Sequence, residues 1–353
     1  MKFHTLKVNY LHKTTSNSIE IGFEIPSEYS TFYTFQPGQF ISIKVNIDGA
    51  EYKRDYSIFS APFENTLHIC VKAIEEGKVS KYLVENTKLG DIFEITQPMG
   101  KFGIPIKPNE KRTLAFFSAG SGITPIYSIL KNILHQEKNT SIYLFYSNKT
   151  ENDVIFKDEL DQLAQINPHF NYFNFYSQQS TKDPLFTGRL NSNKLKLIIN
   201  QLIEWDEVDE VLICGPNEMT QELINACIEF GVYRENIHFE LFNTIVPIHL
   251  FEENKNEGIT EVEITLEKQK FIIQWEKKGE SLLDILLDEG LDPPYSCKGG
   301  VCSACTCKIN EGTIKMDPDQ MVLLDSDIEK GLFLPCMTFH SDSQKIIINF
   351  DDI

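Results

Sequence analysis

The chain has 353 residues, 41% of them hydrophobic, and a formal net charge of −18 from 33 basic and 51 acidic side chains. That length exceeds what one hydrophobic core organises, so two or three domains are expected, and the negative charge argues against nucleic acid or an anionic membrane as partner. No apolar run reaches the length of a membrane span, and the opening MKFHTLKV lacks an apolar signal core, so a cytoplasmic protein with reduced cysteines is expected.

The first hundred residues carry strand signals of period two. Ile19, Ile21, Phe23 and Ile25 alternate with Glu20, Gly22 and Glu24, and similar runs cover residues 40–45, 53–57, 67–73 and 92–96, with Pro, Gly and Asn between them. Such a series predicts a small antiparallel β-barrel over residues 1–105. Within it stands Arg54-Asp55-Tyr56-Ser57, with Ser60 shortly after. Alternation puts Arg54 and Tyr56 on one side and Asp55 and Ser57 on the other. On its own this string reads first as an edge strand whose arginine pairs with a neighbouring acid.

After Pro108 the rhythm changes. Apolar runs at 114–118, 142–146, 173–176 and 211–214 alternate with helical spacing such as Ile126, Ile129, Leu130, Ile133 and Leu134, which predicts an α/β domain with a parallel sheet over residues 106–242. The first of these strands runs into Ala119-Gly120-Ser121-Gly122-Ile123-Thr124-Pro125. Gly120 and Gly122 permit close approach of a ligand, Thr124 is a good N-cap, and Pro125 suits a first helical turn. Free N–H groups and the positive helix end then face one spot, which suits a diphosphate. Taken alone, the turn is a weak signal. A second strand ends in Cys214-Gly215-Pro216 with a helix after it, so a cysteine falls at the carboxyl edge of a parallel sheet, where such sheets bind ligands.

Residues 243–261, with Pro247 and a polar stretch, read as a linker, and residues 262–353 mix strands, one helix over 281–289 and a cysteine-bearing loop. This last part carries 17 acidic and 9 basic residues, a charge that suits a basic partner or simply solubility. Its cysteines are the strongest signal in the chain. Cys297, Cys302, Cys305 and Cys336 follow C-x4-C-x2-C plus a distant fourth, the spacing with which plant-type ferredoxins hold a [2Fe-2S] cluster. Structural zinc normally takes two short pairs, and only Cys302 and Cys305 form one. Cys70, Cys227 and Cys307 read as core or spectator thiols.

Taken together, Arg54-x-Tyr56-Ser57, Gly77-x-x-Ser80, Gly120-x-Gly122-x-Thr124-Pro125 and Cys214-Gly215-Pro216 stand in the order of the ferredoxin-NADP reductase superfamily. With the C-terminal plant-type ferredoxin motif, the whole chain resembles the reductase components of multicomponent oxygenases, including the stretch Phe239-Glu240-Leu241-Phe242-Asn243-Thr244 that closes the nucleotide domain. The resemblance implies an FAD-binding β-barrel, an NAD(P)-binding α/β domain and an α+β, β-grasp ferredoxin domain. It implies that Arg54 neutralises the flavin diphosphate, that Tyr56 packs on the isoalloxazine, and that Ser57 hydrogen-bonds near N5. Lys72, Ala73, Val79 and Ser80 are implied to line the rest of the FAD site. The same resemblance gives Gly120, Ser121, Gly122 and Thr124 the nicotinamide cofactor's diphosphate, and puts Cys214, with Gly215 and Pro216, close to the nicotinamide. Glu240 and Phe242 are implied to approach the flavin from the other domain.

A nicotinamide cofactor gives up two electrons together, whereas a [2Fe-2S] centre accepts one at a time, so some group must hold one electron while passing the other, which a flavin can do. The resemblance implies an NAD(P)H oxidoreductase feeding a separate oxygenase component, foremost a diiron epoxidase acting on phenylacetyl-CoA. Its alternative partner is a Rieske or steroid-type hydroxylase. A non-catalytic redox sensor or zinc adaptor is the rival class, against which the full set of nicotinamide motifs counts. Lys149 and Arg189 are the candidate cations for a 2′-phosphate, favouring NADPH over NADH.

Overall fold

A computed structural model describes residues 2–242, 259–276, 279–317 and 322–353. Residues 243–258 of the expected linker over 243–261, which include the last two residues of the Phe239–Thr244 stretch, lie outside the described residues. Two compact units divide the chain after Phe242.

The first unit begins with six antiparallel strands, β1 (Phe3–Thr15), β2 (Ser18–Glu24), β3 (Phe40–Ile47), β4 (Ala50–Ser57), β5 (Leu67–Lys72) and β6 (Ile92–Thr96), in the order β4-β3-β6-β1-β2-β5. A bridge between Ile58 and Ile69 draws the two edges together, so the sheet curls around a core of Leu6, Val8, Ile21, Ile41, Ile43, Ile69 and Ile95. Helix α1 (Lys78–Asn86) starts at Gly77 and plugs the barrel with Val79 and Leu83. The alternation expected for β2 is only half of its environment. Glu20, expected outward, is 5% exposed and accepts from the Tyr10 hydroxyl at 3.1 Å. Gly22 lies under His68, whose imidazole comes to 2.5 Å from where a Cβ would stand. The ladder neighbour of Glu20, Cys70, belongs to the core cluster of the parallel-sheet domain, and the charges of Lys131 and Glu159 from that domain act on Glu20.

The parallel sheet contains β7 (Thr113–Ala119), β8 (Ser141–Asn148), β9 (Phe170–Tyr176), β10 (Val208–Gly215) and β11 (Ile237–Leu241) in the order β11-β10-β7-β8-β9. Its helices are α2 (Ile123–Gln136), α3 (Lys157–Ile166), α4 (Ser192–Gln201) and α5 (Asn217–Glu229). α2 is buried nearly all round because the sheet covers one side and the barrel the other, which is what an apolar helix without a polar face requires. At the amino ends of the strands Arg112, 3% exposed, forks onto Glu137 at 2.7 and 3.0 Å and reaches Glu210 at 2.7 Å. His238 closes on the other Glu210 oxygen at 2.9 Å.

The second unit is a mixed sheet of β12 (Ile259–Leu266), β13 (Gln269–Glu276), β14 (Cys307–Glu311), β16 (Leu332–Phe333) and β18 (Lys345–Asn349) in the order β13-β12-β18-β14-β16, with β15 (Lys315–Met316) pairing β17 (Thr338–His340) beside it. β12 and β18 run parallel at its centre, and α6 (Leu282–Asp288) packs across it onto Trp275 and Val262, the β-grasp arrangement. A one-turn helix, α7 (Asp325–Glu329), precedes β16. Residues 259–261, assigned to the linker from sequence, are the first residues of β12.

Candidate functional site

The parallel sheet fixes where a ligand can go. From β7 the chain proceeds outward to β8 and β9, then returns to the other side of β7 as β10 and β11, so the direction of winding reverses between β7 and β10. Ligands of open α/β sheets bind outside the carboxyl ends of the strands at that reversal. Gly120–Gly122 and Cys214-Gly215-Pro216 are the two turns found there. They touch backbone to backbone: a Cβ on Gly122 would collide with the Cys214 carbonyl, and one on Gly215 would stand 3.2 Å from the Ala119 side chain.

Gly120 adopts φ +55°, and its carbonyl accepts the hydroxyl hydrogen of Tyr146, a fully buried residue of β8, at 2.8 Å. The helix after this turn begins at Ile123 with Gly122 as its N-cap residue, so Thr124 is not the cap expected from sequence. The two glycines form a tight turn that starts the helix early. Thr124 then lies inside the first turn and its hydroxyl donates to the Ser121 carbonyl at 2.9 Å. Since no side chain caps α2, its first N–H groups keep their capacity for an anion.

Cys214 stands in register with Ser118 of β7 on one side and Glu240 of β11 on the other. It is 0% exposed, and burial first, then the Glu240 charge, pushes its thiol well above the usual range. A neutral thiol packs; it does not attack. From the barrel, Ser57 at the end of β4 donates to Glu240 Oε2 at 3.4 Å. Ser57, Cys214 and Glu240, nominated separately from sequence, are thereby brought together. Ser118 was missed by sequence reasoning: its hydroxyl is buried beside Cys214 and has no hydrogen-bond partner among the described residues, and its place at the end of the strand entering the glycine turn was the available signal.

On the barrel side, Arg54 is exposed, its Nη1 donating to the Lys53 carbonyl at 2.7 Å, while Tyr56 is half-buried against the barrel core. Ser80 sits in the first turn of α1, where its hydroxyl donates to Gly77 and accepts from the Ile74 N–H. The Val79 side chain belongs to the barrel core, so only its backbone can face a ligand. Ala73 donates its N–H to Asn17. Lys72 reaches across to the glycine turn, its Nζ 3.9 Å from a Cβ built on Gly120. Burial lowers its pKa, against the nearby charge of Asp153, with Lys149 close enough to lower it further. Phe242 is 43% exposed. The residues present suit the two cofactors: a glycine cradle and an uncapped helix for a diphosphate, and an orphaned hydroxyl facing the buried thiol.

In the second unit the four thiols fall into two pairs. Cys305 and Cys336 Sγ lie 3.3 Å apart, and Cys297 and Cys302 interact directly. The loop curls around them with Lys298 and Ser303 at positive φ, and Gly300, at φ +73°, passes so near Met337 that a Cβ would stand 2.6 Å from its Cγ. That curl aims N–H groups at sulfur: Gly299 at Cys297, and Cys297 and Ala304 at Cys302, at 3.4–3.5 Å. The Cys302 contact first, then the N–H groups of Gly299, Val301 and Cys302, lower Cys297 to about 6 despite burial. Lys298 ties the loop to α6 through Asp284 at 2.9 Å. Among the described residues no three His, Cys, Asp or Glu side chains converge on one metal position. Two pairs of thiols with inward N–H groups are the donor set of a two-iron cluster. Cys70, Cys227 and Cys307 are buried elsewhere.

Comparison with known proteins agrees with each part. Residues 5–104 match the oxidoreductase FAD-binding domain, 116–223 the oxidoreductase NAD-binding domain, and 264–341 the 2Fe-2S iron-sulfur cluster binding domain. The chain is 31% identical over 350 residues to a component of the 1,2-phenylacetyl-CoA epoxidase of Escherichia coli K12, covering 99% of this chain and 98% of that protein. It is 30% identical to the ferredoxin reductase component of 3-ketosteroid-9-alpha-monooxygenase from Rhodococcus rhodochrous, covering 94% and 92%. Phthalate dioxygenase reductase, described as a modular structure for electron transfer from pyridine nucleotides to [2Fe-2S], shares the fold at a TM-score of 0.57 and 18% identity over 98% of both chains. Among the described residues no helix is long and apolar enough to cross a membrane. The chain therefore belongs to the ferredoxin-NADP reductase-type family of oxidoreductases that join FAD-, NAD- and [2Fe-2S]-binding domains in one polypeptide.

Proposed function

We propose that this reductase is a cytoplasmic electron donor to a separate oxygenase component, and that the oxygenase is a diiron epoxidase acting on phenylacetyl-CoA. Support for the partner comes from the near end-to-end match to the epoxidase component. The site observation that carries the chemistry is the meeting of Ser57, Glu240 and Cys214 at the sheet's reversal point. When bound, FAD accepts a hydride and releases electrons singly, and the cluster accepts them one at a time.

The chain's own part is placement. Arg54 and Tyr56 hold the flavin with the first turn of α1, and Ser57 orients its reactive ring. Gly120, Ser121, Gly122 and Thr124 offer backbone N–H groups to the nicotinamide cofactor's diphosphate, and Lys72, expected from sequence to line the FAD site, reaches toward this turn as counter-charge. Cys214, neutral and buried, supplies a small polarisable surface for the nicotinamide, flanked by Ser118. Glu240 holds the Ser57 hydroxyl in one orientation. Cys297 and Cys302 would hold one iron, and Cys305 and Cys336 the other. Lys149 and Arg189, exposed after β8 and after Gly188, favour NADPH. Functional modules are taken as 1–105, 106–242 and 262–353.

The test is reconstitution of the purified chain with the oxygenase components of a phenylacetyl-CoA epoxidase. NADPH consumption that depends on phenylacetyl-CoA is expected. If the chain supports only a Rieske or steroid-type hydroxylase, that second reading, whose steroid form is favoured by the 3-ketosteroid monooxygenase relative, takes its place.

A further inference from the structure

α2 has a double attachment to the barrel. Its amino end is the Gly122 turn at the nucleotide site, and two side chains further along it grip the barrel segment that follows Ser57. The Ser128 hydroxyl donates to the Ser60 carbonyl at 2.6 Å. One turn on, the Lys131 ammonium donates to both Glu64 oxygens, at 2.6 and 2.8 Å, and lies 4.7 Å from the centre of the Tyr127 ring and 5.5 Å from that of Phe59. The Lys131 side chain is 10% exposed and that of Glu64 33%.

The gripped segment is itself stiff. Ser60 Oγ donates to the Thr66 carbonyl and accepts the His68 N–H, while Glu64 Oε2 accepts the Ala61 N–H at 2.6 Å. Phe59 packs on Phe156, ring centres 4.8 Å apart. Lys131 is also the cation that faces Glu20 of β2 and Glu159 of α3, so three carboxylates from both sheets' elements share its charge. Without it they would repel one another across the boundary between barrel and parallel sheet.

We infer that Lys131 and Ser128 form a brace that sets the approach of nicotinamide to flavin, making Lys131 a positioning residue for hydride transfer. This rests on the reading of Ser57 and Cys214 as the groups flanking those two rings. Ser57 is three residues from Ser60, and Gly122 is six from Ser128, so a shift of α2 on the segment 60–64 translates directly into displacement of one ring against the other. Small displacements of reacting atoms slow a reaction steeply.

The experiment is anaerobic single-turnover reduction of the bound flavin by saturating NADPH or NADH in the full chain, comparing the parent with Lys131→Met, Ser128→Ala and the double variant Lys131→Met/Glu64→Gln. The limiting rate should fall about 10-fold in Lys131→Met and less in Ser128→Ala, with flavin content and cofactor dissociation constant within about twofold of the parent. The double variant should be no slower than Lys131→Met, because both changes remove one pair. Ser128→Ala, which strands no charge, keeps the test open should Lys131→Met not fold. Parent-like limiting rates in the variants that fold, a loss confined to the dissociation constant, or additive slowing in the double variant overturns the brace. If neither cofactor reduces the parent's flavin, the functional reading itself has failed.

Discussion

The Ser57 hydroxyl donates to the Glu240 carboxylate at 3.4 Å although 183 positions separate them in the chain, and Glu240 lies beside Cys214 in the strand ladder. A hydrogen bond to a charged group contributes about 1.5–3 kcal/mol. Ser57→Ala is therefore expected to slow flavin reduction at saturating nicotinamide cofactor by about 10- to 100-fold, read by stopped-flow bleaching. Glu240→Gln, whose amide oxygen can still accept, should lose less. A parent-like rate in Ser57→Ala would remove the serine from the hydride step.

Tyr146 acts one layer further out. Its hydroxyl fixes the carbonyl of Gly120, the residue held at positive φ in the diphosphate turn, and its ring is fully buried. Tyr146→Phe preserves the ring and removes that bond. KM for the nicotinamide cofactor should rise about 2- to 10-fold, the value of one neutral hydrogen bond, while kcat stays put. Steady-state ferricyanide reduction separates the two constants, and a fall in kcat with KM unchanged would contradict this role.

How much of this was legible in the chain depends on the range of each signal. β7, β8 and β10 are continuous apolar runs, and α2 repeats Ile126, Ile129, Leu130 and Ile133 at helical spacing, so local periodicity sufficed. Cysteine spacing likewise carried the cluster loop. β14 to β18 are two to five residues long, too short for a period to show, and β11, which carries Glu240, was visible only through resemblance. The Thr124 reading went astray because Thr-Pro is a good start signal, whereas the turn through two glycines had already begun the helix at Ile123. Contacts such as Ser128 to Ser60, or the covering of Glu20, depend on how two sheets of one unit pack, and no pattern within either stretch encodes that.

The Arg112 cluster lies at the opposite end of the sheet from the nucleotide turns and should govern stability. Arg112→Met leaves Glu137 and Glu210 without their guanidinium, and removing one partner of a buried ion pair costs about 3–5 kcal/mol. Burial raises both carboxyl pKa values, but hydrogen bonds from Arg112, Thr140 and the Lys107 N–H at Glu137, and from His238 with the Arg112 and Lys107 charges at Glu210, outweigh it and leave both below the ordinary 4.5. Depressed carboxylates stabilise the fold above that unfolded value, and the contribution disappears as pH falls through the lower folded values. Thermal melts from pH 7 to pH 3 should show the parent losing stability at the acid end and Arg112→Met losing less of it. Parallel curves would place the acid sensitivity elsewhere.

The two-unit division predicts that the cluster can be removed while the flavin chemistry survives. Cys336 is buried against Cys305, and its thiolate is one of the two that would hold the second iron. Cys336→Ser should lose iron and sulfide and the cluster's visible absorbance, and cytochrome c reduction should fall by at least about 10-fold, since electrons no longer have their one-at-a-time carrier. Ferricyanide reduction, which can draw on the flavin directly, should remain near the parent's because Ser57, Cys214 and the glycine turn all lie within Lys2–Phe242. Cys307→Ser is the matched control: that thiol is buried in the β-grasp core and belongs to neither sulfur pair, and its replacement should leave iron content unchanged. Equal loss of ferricyanide and cytochrome c reduction in Cys336→Ser would mean that the flavin cannot work without the cluster, and iron loss in Cys307→Ser would mean that packing of the β-grasp core, and not the four thiols alone, holds the cluster loop in place.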